Sequence, residues 1–195
     1  IYERGKIMYT FFPHTLTSLI DVLGAELLPY LDIPFACFGH SLGALVAFEL
    51  CCWLRRNVGL QPDYLWVAAA PAPHLSPERE PLHKLPDKDF IHALQFYGGT
   101  PKSVLDNAEL MTIALPILRA DFALLETYQY QSTKPFSCPI IAFWGRQDAT
   151  VDKKQVAAWQ VHTQDFSLEM VDGEHFFMRQ PAFPKRLLPQ LAITP

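Results

Sequence analysis

Pro34-Phe-Ala-Cys-Phe-Gly-His-Ser-Leu-Gly-Ala-Leu-Val-Ala-Phe-Glu-Leu50 is the stretch from which the fold can be read. Residues 35–38 form an apolar run bounded by Pro34 and Gly39, the pattern of a short buried strand. From Ala44 the chain is almost wholly apolar and rich in helix formers. It reaches Arg55-Arg56-Asn57 and Gly59, where basic residues followed by glycine signal a helix end over residues 42–57. Between strand and helix, Gly39-His40-Ser41-Leu42-Gly43 matches G-x-S-x-G. A strand that turns into a helix within so few residues holds its apex residue at positive φ, with the hydroxyl clear of the backbone. Gly39 and Gly43 are expected to pass so close that a Cβ on either would clash. The N–H of Leu42 opens the helix unpaired and faces Ser41, so it is the candidate oxyanion donor, aided by the helix dipole.

Working outward, residues 15–31 carry leucine and isoleucine at three-to-four spacing, an amphipathic helix, while residues 1–12 carry no clear pattern. Residues 64–70 are a second buried strand, ended by Pro71-Ala-Pro73. Strand, helix and strand with short loops make a parallel βαβ unit. Residues 74–135 break that rhythm. They begin with a proline-rich run and contain no strand candidate, and helices are expected over 88–97, 108–118 and 119–130. An all-helical insertion after a sheet strand reads as a mobile lid. The alternation resumes with a strand at 139–144, a helix at 153–162, a strand at 166–171 and a terminal helix at 183–191. The fold class is α/β: an α/β-hydrolase of one domain over residues 1–195, a mostly parallel sheet flanked by helices, with a lid insertion at about 74–135.

Composition excludes several classes. Half of the 195 residues are hydrophobic, 18% are charged and the net charge is −4 without a basic run, so nucleic acid is not an expected partner. No apolar run reaches the length of a membrane span. Cys37, Cys51, Cys52 and Cys138 lack metal-ligand spacing and sit in apolar segments, which reads as reduced core packing and a cytoplasmic location. No metal is expected.

A serine hydroxyl needs an imidazole to take its proton and a carboxylate to hold that imidazole. In α/β-hydrolases they follow in the order Ser, acid, His, each just past a strand end. Of seven histidines, His40 lies inside the turn and is expected to point away from the Ser41 side chain. His14, His74, His83 and His92 precede the third strand, and His162 ends a helix. His175 alone follows the last strand, on a loop opened by Asp172-Gly173, and is the candidate base. Asp148, four residues past Trp144, is the preferred acid. Asp152 is the nearest rival but reads as a helix cap. Asp172 is a turn residue and Asp121 lies in the lid.

Ser41, Asp148 and His175 with this lid resemble the type II, external editing thioesterases of nonribosomal peptide and polyketide synthesis. The resemblance is carried by Leu28-Pro-Tyr-Leu-Asp32, Pro34-Phe35 and Phe38 to Leu50. In the lid it is carried by Gly98-Gly-Thr-Pro101 and Leu118-Arg-Ala-Asp-Phe-Ala-Leu-Leu-Glu-Thr-Tyr128, and at the acid and base by Gly145-Arg-Gln-Asp148 and Gly173-Glu-His-Phe-Phe177. It implies hydrolysis of acyl groups from the phosphopantetheine arm of acyl or peptidyl carrier proteins through an acyl-serine intermediate. It implies no cofactor of the enzyme's own, since the arm belongs to the partner, and a monomer is expected. The rivals are a small-molecule esterase or lipase on the same fold, and an inactive hydrolase serving as a binding module. One departure is at the start. The strands that should cover the other side of the nucleophile strand, and a loop donating a second oxyanion N–H, have no counterpart in the sequence. The chain is therefore expected to be the C-terminal part of a longer enzyme, or a truncated copy.

Overall fold

A computed structural model describes residues 15–76 and 80–187. Among these, four strands form one parallel sheet in sequence order: β1 (Ala36–His40), β2 (Tyr64–Ala68), β3 (Ile140–Gly145) and β4 (Phe166–Val171). Helix α1 (Leu16–Leu27) precedes β1, and α2 (Leu42–Val58) joins β1 to β2. Between β2 and β3 lie α3 (Asp87–Tyr97), α4 (Lys102–Leu105) and α5 (Ala108–Glu126); α6 (Lys153–Ala157) follows β3 and α7 (Pro184–Leu187) follows β4.

Strands β2 and β3 are near-continuous apolar runs because both faces of the sheet are covered there, whereas β4 alternates and leaves Ser167 and Met170 exposed. Side chains alternate across a strand. Leu65 and Val67 of β2, with Ile140 and Ala142 of β3, join Ala44, Phe48 and Cys51 of α2 and the buried Trp159. Trp66, Ala68, Ile141 and Phe143 point to the other face, against Phe177 and Phe183. Helix α1 lies on α2, where a Cβ on Gly24 would meet the Trp53 ring 2.5 Å away. The helices between β2 and β3 have a small core of their own in Phe90, Leu94 and Met111. Two charged groups of α5 hold the entry to this segment. Glu126 accepts from the N–H groups of Leu82 and His83, and Arg119 donates to the carbonyls of His83 and Leu85.

Several boundaries differ from the sequence reading. The first strand runs to His40, because Gly39 and His40 continue the ladder opposite Val67 and Ala68. The second stops at Ala68, because Ala69 turns to φ +50°. The third is shifted by one residue, to Ile140–Gly145. The two helices expected over 108–118 and 119–130 are one, α5, with Pro116 inside it. An internal proline costs about 3 kcal/mol. Helix α5 continues through it because Met111, Leu115, Leu118 and Phe122 share one face packed on Phe90 and Leu94. The helix expected over 153–162 is α6 followed by a 3₁₀ turn, Ala158–His162. Residues 1–12, and the terminal helix past residue 187, lie outside the described residues. Among the described residues β1 has a strand partner on one side, β2. No described helix is long and apolar enough to cross a membrane.

Candidate active site

The turn after β1 places Ser41 at φ 54° and ψ −121°, a strained conformation for a residue with a Cβ. Its own N–H is held by the Ala68 carbonyl at 2.9 Å, at the end of β2. Its side chain makes no helix-cap bond, so the hydroxyl is not committed to the backbone. Only one of the two glycines is required by contact. A Cβ on Gly39 would lie 2.1 Å from the Gly43 carbonyl oxygen, whereas a Cβ on Gly43 would meet nothing within 4 Å. The expectation for Gly43 is thus corrected: its backbone is the obstacle, and the missing side chain belongs to Gly39. Leu42 is the first residue of α2, where helix N–H groups lack an intrahelical acceptor.

The loops after β3 and β4 are stitched together by their backbones. The N–H of Arg146 donates to the Val171 carbonyl at 2.8 Å, and that of Gln147 to the Gly173 carbonyl at 3.0 Å. Gly145 permits this approach, because a Cβ there would lie 2.7 Å from the Gly173 oxygen. Gly173 itself adopts φ 137°. The result brings Asp148 and His175 together, with Nδ1 of His175 2.9 Å from Oδ2 of Asp148. Both are buried, and the Asp148 side chain is 0% exposed. Burial alone would push the Asp148 carboxyl up. The hydrogen bonds from His175 and Thr150 outweigh it and hold the carboxyl below its ordinary range, so it is the ionised partner.

Two residues that the sequence reading did not place at the site touch His175. Nε2 of His40 donates to the His175 carbonyl at 2.8 Å, and the two rings lie with centroids 5.0 Å apart. Burial lowers the His40 pKa, so its ring is neutral near pH 7. His40 thus ties the serine turn to the histidine loop. Thr150 contacts both Asp148 and His175 through its hydroxyl. The signal for Thr150 was present in Asp148-Ala-Thr150, an acid followed at two residues by a hydroxyl. No hydrogen bond joins Ser41 to His175 among the described residues. Catalytic bonds are commonly loose without substrate.

The rival residues serve elsewhere. Asp152 caps α6 in a capping box with Gln155. Asp172 pairs with Arg146 at 3.2 Å on the surface. Asp121 is in α5, its carboxyl pushed up by burial. His83 pairs with Glu126 at 2.6 Å, and His14 is outside the described residues. His162 is 3% exposed and lies 2.8 Å from His74, nitrogen to nitrogen. Burial, and secondarily the His74 ring, push its pKa down to about 4. Its unfolded-state pKa is about 6.5, so between pH 6.5 and 4 the unfolded chain binds the extra proton and stability falls as pH falls. Urea unfolding at stepped pH should show His162→Gln losing up to ~1.4 kcal/mol less per pH unit than the parent in that window. Equal slopes would show that His162 is not buried neutral.

A cavity of about 430 Å³ opens between the C-terminal end of α3 and these loops, lined by Phe96, Tyr97, Thr150, His175 and Phe176 among others. Among the described residues no group of three or more His, Cys, Asp or Glu could hold a metal ion. The cysteines are free. Burial pushes Cys138 up to about 11 and Cys52 up to about 12, so neither is a thiolate nucleophile.

The sequence profile of the thioesterase domain family matches residues 2–191. The chain belongs to the thioesterase domain family. This thioesterase-family chain is 40% identical over 169 residues to the gramicidin S biosynthesis protein GrsT of Aneurinibacillus migulanus, which covers 86% of this chain and 66% of that protein. The chain thus spans just under two thirds of the length of GrsT. Among solved structures, the RedJ thioesterase of the prodiginine pathway of Streptomyces coelicolor is 33% identical, with a TM-score of 0.82 over 91% of this chain and 70% of that one. YbtT, a type II thioesterase of the yersiniabactin pathway, is 34% identical with a TM-score of 0.82, over 96% and 76%. The α/β-hydrolase-type fold expected from the sequence is therefore shared with thioesterases of known structure.

Proposed function

We propose that this chain hydrolyses acyl groups from the phosphopantetheine arm of acyl or peptidyl carrier proteins in nonribosomal peptide or polyketide assembly. The observation that carries this reading is the buried Asp148–His175 pair, tied through His40 to the strained serine turn of a thioesterase-family chain. The Ser41 oxygen attacks the thioester carbonyl as Nε2 of His175 takes the hydroxyl proton. Asp148 orients the ring through Nδ1–H and stabilises the imidazolium. The N–H of Leu42, at the head of α2, donates to the oxyanion. The proton then passes to the departing thiol, leaving an acyl-serine. Water, deprotonated by His175, hydrolyses that ester and regenerates Ser41. The arm is the partner's, so the chain supplies no cofactor to these steps. Residues 74–135 act as the lid over a single catalytic domain and bound the acyl pocket, since Phe96 and Tyr97 of α3 line the cavity beside His175.

The test is to compare acyl thioesters on a carrier protein with free p-nitrophenyl esters of the same acyl group, across several chain lengths. Faster turnover of the carrier thioester is expected, and Phe96→Ala should change which acyl length is preferred. Turnover of the free ester with no gain from the carrier would make the protein a small-molecule esterase instead. A fluorophosphonate probe should label Ser41; no labelling of any serine would point to a binding module.

A further inference from the structure

We infer that Thr150 is a positioning residue for His175: its hydroxyl, in contact with both Asp148 and His175, holds the imidazole in the tautomer that carries hydrogen on Nδ1 and a lone pair on Nε2. The inference rests on the reading of Ser41, Asp148 and His175 as a hydrolytic set, and adds a fourth member to it.

The argument is a count of donors and acceptors. Oδ2 of Asp148 faces Nδ1 of His175 at 2.9 Å. Oδ1 of Asp148 accepts from the Thr150 N–H at 2.8 Å and the Val151 N–H at 3.2 Å. It also accepts from the Thr150 hydroxyl at 2.7 Å. The same hydroxyl oxygen lies 2.8 Å from Nδ1 of His175. A threonine hydroxyl has one hydrogen and two lone pairs. With its hydrogen on Oδ1, it can offer Nδ1 only a lone pair. Nδ1 then faces two acceptors, Oδ2 and Oγ1, and must carry the hydrogen. In the opposite tautomer the Nδ1 lone pair would face an ionised carboxylate oxygen. Thr150 would then have to turn its hydrogen to Nδ1 and leave Oδ1 with one donor fewer. A ring with Nδ1–H has its lone pair on Nε2, the atom that must receive the Ser41 proton.

The hydroxyl is separable from the turn it sits in. The turn is held by the backbone N–H groups of Thr150 and Val151 on Oδ1, and these persist in valine, which keeps the β-branched side chain but lacks the hydroxyl. Thr150→Val therefore removes the Oγ1 contacts while the backbone contacts to Asp148 stay.

Two readouts on the intact chain test this. In ¹⁵N-histidine-labelled protein, with His175 assigned by its loss in His175→Gln, the parent should show the Nδ1–H tautomer. Thr150→Val should show shifts moved toward a tautomer mixture. In thioester hydrolysis, Thr150→Val should lower kcat about tenfold with KM within twofold, and Thr150→Ser should restore both rate and shifts. Parental shifts with parental kcat in Thr150→Val would overturn the inference. So would parental shifts with a raised KM or lowered melting temperature, which would mark a packing role. If Thr150→Val does not fold, Thr150→Ala is compared with Thr150→Ser: recovery by serine supports the inference, and equal behaviour overturns it. If the parent hydrolyses no thioester, the proposed function fails while the tautomer readout still decides the role of Thr150.

Discussion

Ser41→Ala is expected to lower kcat/KM for an acyl thioester by on the order of a thousandfold or more, with the melting temperature nearly unchanged. The asymmetry follows from what the hydroxyl touches. It caps nothing in α2, so its loss breaks no helix bond. Alanine keeps the Cβ and therefore the same strain at φ 54°, and the backbone bond from position 41 to Ala68 does not involve the side chain. Chemistry should collapse while the turn survives. The measurement is steady-state hydrolysis beside thermal unfolding; a variant retaining parental kcat/KM would remove Ser41 from the mechanism.

Asp148→Asn and His175→Ala are expected to lower the rate by about 10⁴-fold or more each, by analogy with triad variants of serine proteases. The double variant should be barely worse than either. The asparagine case has a specific cause. Its amide oxygen could still accept from the N–H groups of Thr150 and Val151, which now hold Oδ1. The amide nitrogen would then face Nδ1 of His175 and donate to it. That selects the tautomer with hydrogen on Nε2, which cannot take a proton from Ser41. Asp152→Ala is the control: it removes the α6 capping box, costing about 1 kcal/mol of stability, and should spare activity. Additive losses in the double variant, or a rate defect in Asp152→Ala with none in Asp148→Asn, would sink the assignment.

The extent to which the sequence could be read varies by element. The strand–turn–helix around Ser41 was legible because its signals are local: an apolar run, two glycines, then helix formers ending at a basic turn. The fourth strand was read at its observed bounds, Phe166–Val171. Helix α5 was misread as two because proline is a strong local breaker, and the packing of Met111, Leu115, Leu118 and Phe122 that overrides it is not local. Asp152 was separable from Asp148 because a cap is defined by the residues just after it. Glycine roles were half legible. The need for Gly39 is local, because the backbone its Cβ would meet is that of Gly43, inside the same turn. The need for Gly145 is set by Gly173, 28 positions later, and could not be read from its neighbours.

The α/β alternation, the serine turn, and a short list of histidines and carboxylates ordered by strand ends can all be read from local sequence. These follow from periodicity, turn chemistry and spacing, which act over a few residues. The contacts of Thr150 and His40 with His175, and the path by which Asp148 reaches it, come from the tertiary packing. Asp148 reaches it because Arg146 and Gln147 pair with the backbone of the β4 loop, and Thr150 follows Asp148 there. His40 reaches its carbonyl from a different strand altogether. Such contacts join residues 25 to 135 positions apart. They depend on sheet order and strand register, which no local stretch of the chain encodes.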